Sequence, residues 1–558
     1  MKIVERTWSA ADRDALVAGG IHPVLARVYA GRRIRSMNDL AHDPAKLHSP
    51  DLLTNTDKAA RLLADAIAAK KRLLIVADYD ADGATACVVG LRALRAFGAQ
   101  VDYLVPDRFK LGYGLSPELV EIAAQSKPDL LITVDNGIAS VEGVARAAAL
   151  GIGTLITDHH LPGDTLPAAS CIVNPNQPGC GFPSKALAGV GVMFYVMLAL
   201  RTELRKRGMF QNQKEPNLGS LTDLVALGTI ADVVPLDANN RNLVAQGLKR
   251  LRAGRGQHGI AALLRAAGRN AAEASSFDFG FIAGPRLNAA GRLADMSLGI
   301  ECLLADDEAR AANCAQQLDR LNRDRKKIET DMLEQALQYL KDVSDSGSVF
   351  FKPTWHEGVV GILAARIKDR LHRPVICFAR AKDGGLLKGS GRSITGLHLR
   401  DCLDLVAKRS PGLIVRFGGH AMAAGLTIAE SGYARFGEAF ERALEEMLPA
   451  SARLRVVETD GTLEAAHRTL QVAQLLEAQI WGQGFPQPLF CDTFAVESQR
   501  VVGDKHLKLV LAKDGRRIEA MRFGALEPLP AQVRAAYRLG VNEFNGLKTV
   551  QVNVEHFE

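Results

Sequence analysis

The chain has 558 residues, 47% hydrophobic and 23% charged, with 51 Gly and 22 Pro spread along it. This composition excludes a disordered, collagen-like or coiled-coil protein, and the length supports several domains that fold without disulfide or metal staples. The net charge of +7 is a weak basic bias on so long a chain; it permits a polyanionic partner without requiring one. No apolar run approaches the roughly 20 residues of a membrane span, and residues 189–200 read as a buried helix. The opening MKIVERTWSA lacks a signal-peptide core, and the eight Cys include no CxxC pair. The expectation is a reduced, cytoplasmic monomer with unpaired thiols and no membrane contact.

Residues 1–50 carry helical signals. SAADRDALVAGG opens on a Ser N-cap candidate, Ser9, and closes on a Gly pair. From 51 to 304 short apolar runs alternate with amphipathic helices. Strands are predicted at 73–77, 101–105, 130–134 and 154–157, with helices at 84–97 and 141–149. That alternation implies a parallel sheet with right-handed crossovers. Residues 305–345 form a long charged segment, helical and free of Gly and Pro from 305 to 341, read as a connecting helix. A smaller α/β unit follows over 346–450: strands at 349–351 and 375–378, a helix at 359–371, and Gly-rich loops at 384–396 and 418–425. Residues 455–558 are β-rich, with hairpin turns at Asp514–Gly515 and Asn545–Gly546. About five short strands there suggest a small barrel of the OB type. The fold class is therefore α/β: a parallel-sheet domain, a long helix, a smaller α/β domain and a β-barrel.

Three of the predicted strands end in metal-ligand chemistry. LLIVADYDADG delivers Asp78, Asp80 and Asp82; LLITVDNG delivers Asp135; GTLITDHH delivers Asp158, His159 and His160. A single Asp after a strand is most often a turn or cap residue. Three such ends in one parallel sheet instead converge on the crevice beyond the strand termini. Five carboxylates there repel one another unless cations neutralise them, and oxygen ligands with imidazole suit Mn²⁺ or Mg²⁺ better than Zn²⁺. A fourth segment, DLVALGTIADVVPL, holds Asp223 and Asp232 nine residues apart, on opposite faces of one helix. Asp232, at the helix end, is the one aimed at the cleft.

DYDADG, VDNG, DHH and LGTIADVVPL, in this order, resemble the four motifs of the DHH phosphoesterase superfamily. GPRLNAAGRL, WHEGVVGILAARI, KGSGRSI and FGGHAMAAG resemble its second domain, known as DHHA1. The likeness reaches KHLKLVL and NEFNG in the terminal barrel, and is to the branch of 5′→3′ exonucleases specific for single-stranded DNA. The resemblance implies two divalent ions, Mn²⁺ by preference or Mg²⁺. Asp80 and Asp232 would hold one, Asp82 and His159 the other, with Asp135 between them and Asp78 in either the inner or the outer layer of ligands. Asp158 would orient an imidazole, and His160 would touch the scissile phosphate. From the second domain Ser390, Arg392, Gly418, Gly419, His420 and His356, with Arg286 and Asn288 from the preceding segment, would contact substrate. The resemblance also implies work beside a single-strand-binding protein and a helicase in recombination and repair. The terminal barrel adds seven basic against three acidic residues over 500–522, with Phe523 and Phe544 nearby, which suits a strand-binding groove. Tyr113 in LGYGLS is a further candidate for stacking on a base.

Overall fold

The computed structural model describes residues 1–108, 110–342, 348–381 and 384–558; the end of the expected connecting segment, 343–345, and the first two residues of the second unit lie outside them. The lead-in opens on a strand that the helical reading did not include, β1 (Lys2–Glu5). The helices Ala10–Ala18 and Pro23–Ala30 follow, the first capped by Ser9, whose side chain accepts from the Asp12 N–H.

The first domain is built on five parallel strands: β2 (Arg72–Ala77), β3 (Gln100–Leu104), β4 (Leu130–Val134), β5 (Gly153–Thr157) and β6 (Cys171–Val173), in the order β3-β2-β4-β5-β6. β2 and β4 are apolar runs because both faces are covered by helices. All parallel strands share one C-terminal edge, so the segments after β2, β4 and β5 emerge side by side. β6, an edge strand of three residues, was too short to be read from the sequence.

The helix Glu308–Asp342 is more than a connector. Ala311, Ala315 and Leu318 pack into the first domain's core, while Met332 and Ala336 pack under the second. The second domain holds β7 (Val349–Phe351), β8 (Val375–Arg380), β9 (Leu386–Arg392), β10 (Arg416–Gly419) and β11 (Ala423–Ala429), ordered β10-β11-β9-β8-β7. This corrects the expected Gly-rich loops, which are largely strands. Both β9 glycines are packing residues: a Cβ on Gly389 would come within 2.5 Å of Phe378, and one on Gly391 within 2.8 Å of Leu399.

β12 (Val456–Thr459) pairs in parallel with β1. The chain then forms a closed five-stranded barrel of β13 (Phe490–Val502), β14 (His506–Lys513), β15 (Arg516–Arg522), β16 (Gln532–Phe544) and β17 (Leu547–Phe557). Leu507, Leu509 and Leu511 face inward while their neighbours face out, the period of two read in KHLKLVL. Both hairpin turns carry positive φ at their central residues, Asp514–Gly515 and Asn545–Gly546, the mirror-image turns that suit strand twist. All eight cysteines are free thiols, and among the described residues no helix is long and apolar enough to cross a membrane.

Candidate active site

After β2 the chain turns at once into the helix Ala81–Ala96. Asp80 caps it, accepting from the Asp82 and Gly83 N–H groups at 3.0 Å each. After β4, Asp135 sits at φ +62°, a strained conformation for a non-glycine residue. It is held there by its N–H on the Thr157 carbonyl (3.0 Å) and by Asn136, whose amide bridges Val76 and Val134. After β5, the buried Asp158 accepts from the Ile138 and His159 N–H groups and from His160 Nδ1 at 2.8 Å.

These ends converge. His159 Nε2 lies 3.1 Å from an Asp135 carboxylate oxygen, 3.4 Å from Asp232 and 4.0 Å from Asp82. Asp232 is aimed inward from the C-terminal end of the helix Thr222–Ala231. Asp223, at the other end of that helix, accepts from the Gln257 N–H and stays outside the cluster, as its spacing predicts.

The donors form overlapping sets. Asp82, His159 and Asp232 make one, and Asp78, Asp80 and Asp135 another; Asp135 also groups with His159 and His160. This differs from the expected partition: Asp232 stands with Asp82 and His159 rather than with Asp80, and Asp78 completes the other set. Asp78 Oδ1, Asp135 Oδ1, His159 Nε2 and Asp232 Oδ2 are buried without a hydrogen-bond partner. Four such orphans spread over these overlapping sets fit divalent ions, since unpaired buried polar atoms are otherwise costly.

The electrostatics agree. Burial and the neighbouring Asp80 push Asp82 up to about 7, and burial with mutual repulsion raises Asp78, Asp135 and Asp232 well above the usual carboxylate range. Burial and the adjacent His160 bring His159 down to about 4, which leaves the imidazole neutral and its lone pair available. Burial opposes protonation of His160, but the hydrogen bond and charge of Asp158 outweigh it and raise the imidazole to about 8.

Several supporting groups had no sequence signal. The helix Gly189–Lys206 directs its first N–H groups at Asp82: Gly189 at 2.6 Å and Val190 at 2.9 Å. Gly189 also has to be glycine, since a Cβ there would lie 2.6 Å from Asp135 Oδ1. Asn174 and Asn176 donate to the carbonyls of His160 and His159. Asn-Pro-Asn reads locally as a turn, and only the fold brings it beneath the two histidines.

The second domain faces this edge. His420 stacks against His160 with ring centroids 6.1 Å apart. It follows Gly419, whose φ of +141° and closeness to the Ala423 carbonyl exclude a side chain, and Gly418, paired with Gly425. Arg392 donates to Ser390 Oγ at 3.0 Å, against the first turn of the helix Val360–Leu371. His356 accepts from the Gly358 N–H and shapes that loop.

Two expected substrate contacts are otherwise engaged, which corrects the reading of both. Arg286 is buried; it donates to Asp319 through Nε at 3.0 Å, lies 2.7 Å from it through Nη2, and donates to the Ile282 carbonyl through Nη1. Asn288 accepts from the Ala81 N–H at 2.8 Å, fastening the loop that carries Asp78, Asp80 and Asp82. The arginine nearer the acidic centre is Arg292, in the last turn of the same helix. Burial, with Arg108 and Arg392 beside it, lowers its guanidinium to about 10. Tyr113 donates to the Asp135 carbonyl at 3.2 Å and stands 3.1 Å from His160 Nδ1, its ring half exposed.

Three family models match in chain order: the DHH family N-terminal domain over residues 72–229, the DHHA1 domain over 327–448 and the RecJ OB domain over 459–556. Single-stranded-DNA-specific exonuclease RecJ of Dickeya dadantii is 50% identical over all of this chain and 99% of its own length. The Escherichia coli protein of that name is 48% identical over 98% of this chain and 97% of its own. Among solved structures, RecJ from Thermus thermophilus in complex with Mn²⁺ matches at a TM-score of 0.82 and 30% identity, over all of this chain and 79% of that one. With acidic strand ends, a facing second domain and a terminal barrel all matched from end to end, the chain belongs to the RecJ family.

Proposed function

We propose that the protein is a metal-dependent exonuclease that degrades single-stranded DNA from the 5′ end to mononucleotides. The observation that carries this reading is the group of four buried side-chain atoms without a hydrogen-bond partner, from Asp78, Asp135, His159 and Asp232, beside a His160 ring on which His420 of the second domain stacks. Asp78 and Asp80 would hold one divalent ion, Asp82, His159 and Asp232 the other, with Asp135 between them. Two such ions supply an activated water and neutralise charge on the phosphate.

The chain's own residues do the rest. Asp158 engages Nδ1 of His160 and so leaves Nε2, which has the Tyr113 hydroxyl at 3.5 Å, to donate to a phosphate oxygen or to the leaving group. His420, stacked on that ring, offers a second donor from the opposite wall. Ser390, Arg392 and Arg292 form a cationic recess that favours a terminal phosphate, which carries more charge than an internal diester. Asn288 and the N–H groups of Gly189 and Val190 keep the carboxylates in register. Action as a monomer beside a single-strand-binding protein and a helicase, in recombination and repair, belongs to the same reading.

The test is a substrate panel with Mn²⁺: long single strands labelled at either end, duplex DNA, dinucleotides and pyrophosphate. Mononucleotides released from the 5′ end of single strands, with duplex DNA spared, are expected. Release from the 3′ end would overturn the polarity, and preference for dinucleotides or pyrophosphate would overturn the substrate.

A further inference from the structure

We propose that Phe277 and Phe281 form a platform on which bases of the single strand stack as it runs between the acidic centre and the barrel, with the neighbouring basic segment holding the adjoining phosphates. The inference rests on the single-strand reading above and adds a site to it. The two rings are stacked on one another, centroids 4.8 Å apart and planes 22° apart, yet Phe277 is 50% and Phe281 67% exposed. A stacked pair left open to water is an exposed π-surface already ordered for a third ring, and bases of any identity present a suitable face.

The platform is firmly rooted. Phe281 lies in a π-helical turn, Asp278–Ala283, that Phe277 precedes. Phe279 of the same turn is fully buried, and the Asp278 carboxylate accepts from both the N–H and the hydroxyl of Ser275. The Ser276 hydroxyl donates to the Trp481 carbonyl at 2.9 Å and accepts from the Trp481 N–H at 3.2 Å. Trp481 lies in the segment that leads into the barrel.

The other side of the turn meets the acidic centre. Gly280 packs at Ile230 and Gly284 at Ala231, the residues just before Asp232, and the turn continues directly into the helix that carries Asn288 and Arg292. Val233, just after Asp232, is itself 62% exposed. The turn is therefore packed between the segment that ends in Asp232 and the barrel's lead-in.

Charge identifies the occupant. Residues 241–272 contain seven Lys or Arg and no Asp or Glu. Lys249, Arg252 and Arg255 are exposed with no ion-pair partner among the described residues, while the exposed Arg265 lies 3.6 Å from Glu308. Arg252 donates to the Ala274 carbonyl and Arg269 lies 3.7 Å from Asp278, so the basic segment borders the aromatic pair. Stacking rings beside a run of cations match single-stranded nucleic acid, which offers bases and phosphates in alternation.

The experiment measures binding of the full-length protein to oligothymidylates of increasing length, with chelator present to prevent cleavage. Phe281→Ala is expected to weaken binding of long strands by about tenfold, within the range known for one lost base stack. Cleavage of strands too short to reach the platform should keep its wild-type kcat/KM with Mn²⁺. Phe281→Tyr should retain affinity, whereas Phe281→Leu, apolar but without a π-face, should behave like Phe281→Ala. The salt slope should stay unchanged in these variants and fall by about 0.7 in Arg255→Ala. Equal affinity in the Phe277→Ala/Phe281→Ala double variant, full retention by Phe281→Leu, or an equal loss on short strands would overturn the platform. If the wild-type protein itself neither binds nor degrades single strands, the nuclease reading fails instead.

Discussion

Arg286 and Arg392 are both arginines in motifs shared with the superfamily, yet their surroundings assign them different work. Arg286 is buried in an ion pair with Asp319. Burial alone would raise that carboxyl, but Arg323 and Arg286 outweigh it and hold it low. Arg286→Ala removes one of the two arginines on Asp319 and leaves Arg323 in place, so it is expected to destabilise the fold by about 1–3 kcal/mol, the cost of lost buried hydrogen bonds. Thermal unfolding should show this while the preference for a 5′-phosphate survives. Arg392→Ala should do the reverse, removing most of that preference on matched 5′-phosphate and 5′-hydroxyl strands and raising KM more than it lowers kcat. A second pair separates two aspartates of one helix. Asp232→Ala should abolish turnover, whereas Asp223→Ala should keep most activity and lose about 1–3 kcal/mol of stability through the Gln257 N–H left without its acceptor. Equal loss of turnover in folded Asp223→Ala would show that the wrong carboxylate was placed in the cluster. Asp78, Asp80, Asp82, Asp135 and His159 were legible because each closely follows an apolar run whose strand character fixes where the chain emerges, and Asp232 because it closes a helix. Gly189, Val190, Asn174 and Asn176 were not, because they act through backbone or amide groups brought close only by the fold.

At the scale of elements, period and turn chemistry carried the reading furthest. Four of the five parallel strands and both barrel hairpins stand where alternation and the Asp-Gly and Asn-Gly turns place them. The Gly-rich segments went the other way: glycine's weak strand propensity suggested loops, while Phe378 and Leu399 occupy the space a side chain would need. β1 was illegible because four residues carry little periodicity and its partner is more than 450 residues away. Charge counting over 500–522 also needs correcting by geometry. Lys508, Lys513, Arg517 and Arg522 pair with Glu519, Asp492, Glu497 and Glu527, whereas Arg500, Lys505 and Arg516 have no ion-pair partner among the described residues. Strand binding by the barrel should therefore depend on those three. Each replaced by Ala should lower the slope of log K against log salt by about 0.7, and Arg517→Ala should leave it nearly unchanged. A slope insensitive to all three would make the barrel a structural element.

Across the whole molecule, the lead-in fastens the barrel side to the first domain. Arg32 and Asp460 form a buried two-pronged ion pair at 2.7 and 3.0 Å, Tyr29 donates to Gln479, and β1 pairs with β12. Asp460→Ala is expected to cost about 3–5 kcal/mol and to open this junction to protease while short strands are still cleaved. An unchanged protease pattern would place the fastening elsewhere. The proposed activity places Asp135 between two donor sets, and Mn²⁺ binding to the full-length protein, followed by calorimetry, tests this without any turnover. About two ions per chain are expected, with Asp135→Asn weakening both and Asp232→Asn weakening only one. Two ions bound at wild-type affinity by Asp135→Asn would contradict the shared carboxylate, and no binding by the wild-type protein would contradict the metal centre altogether.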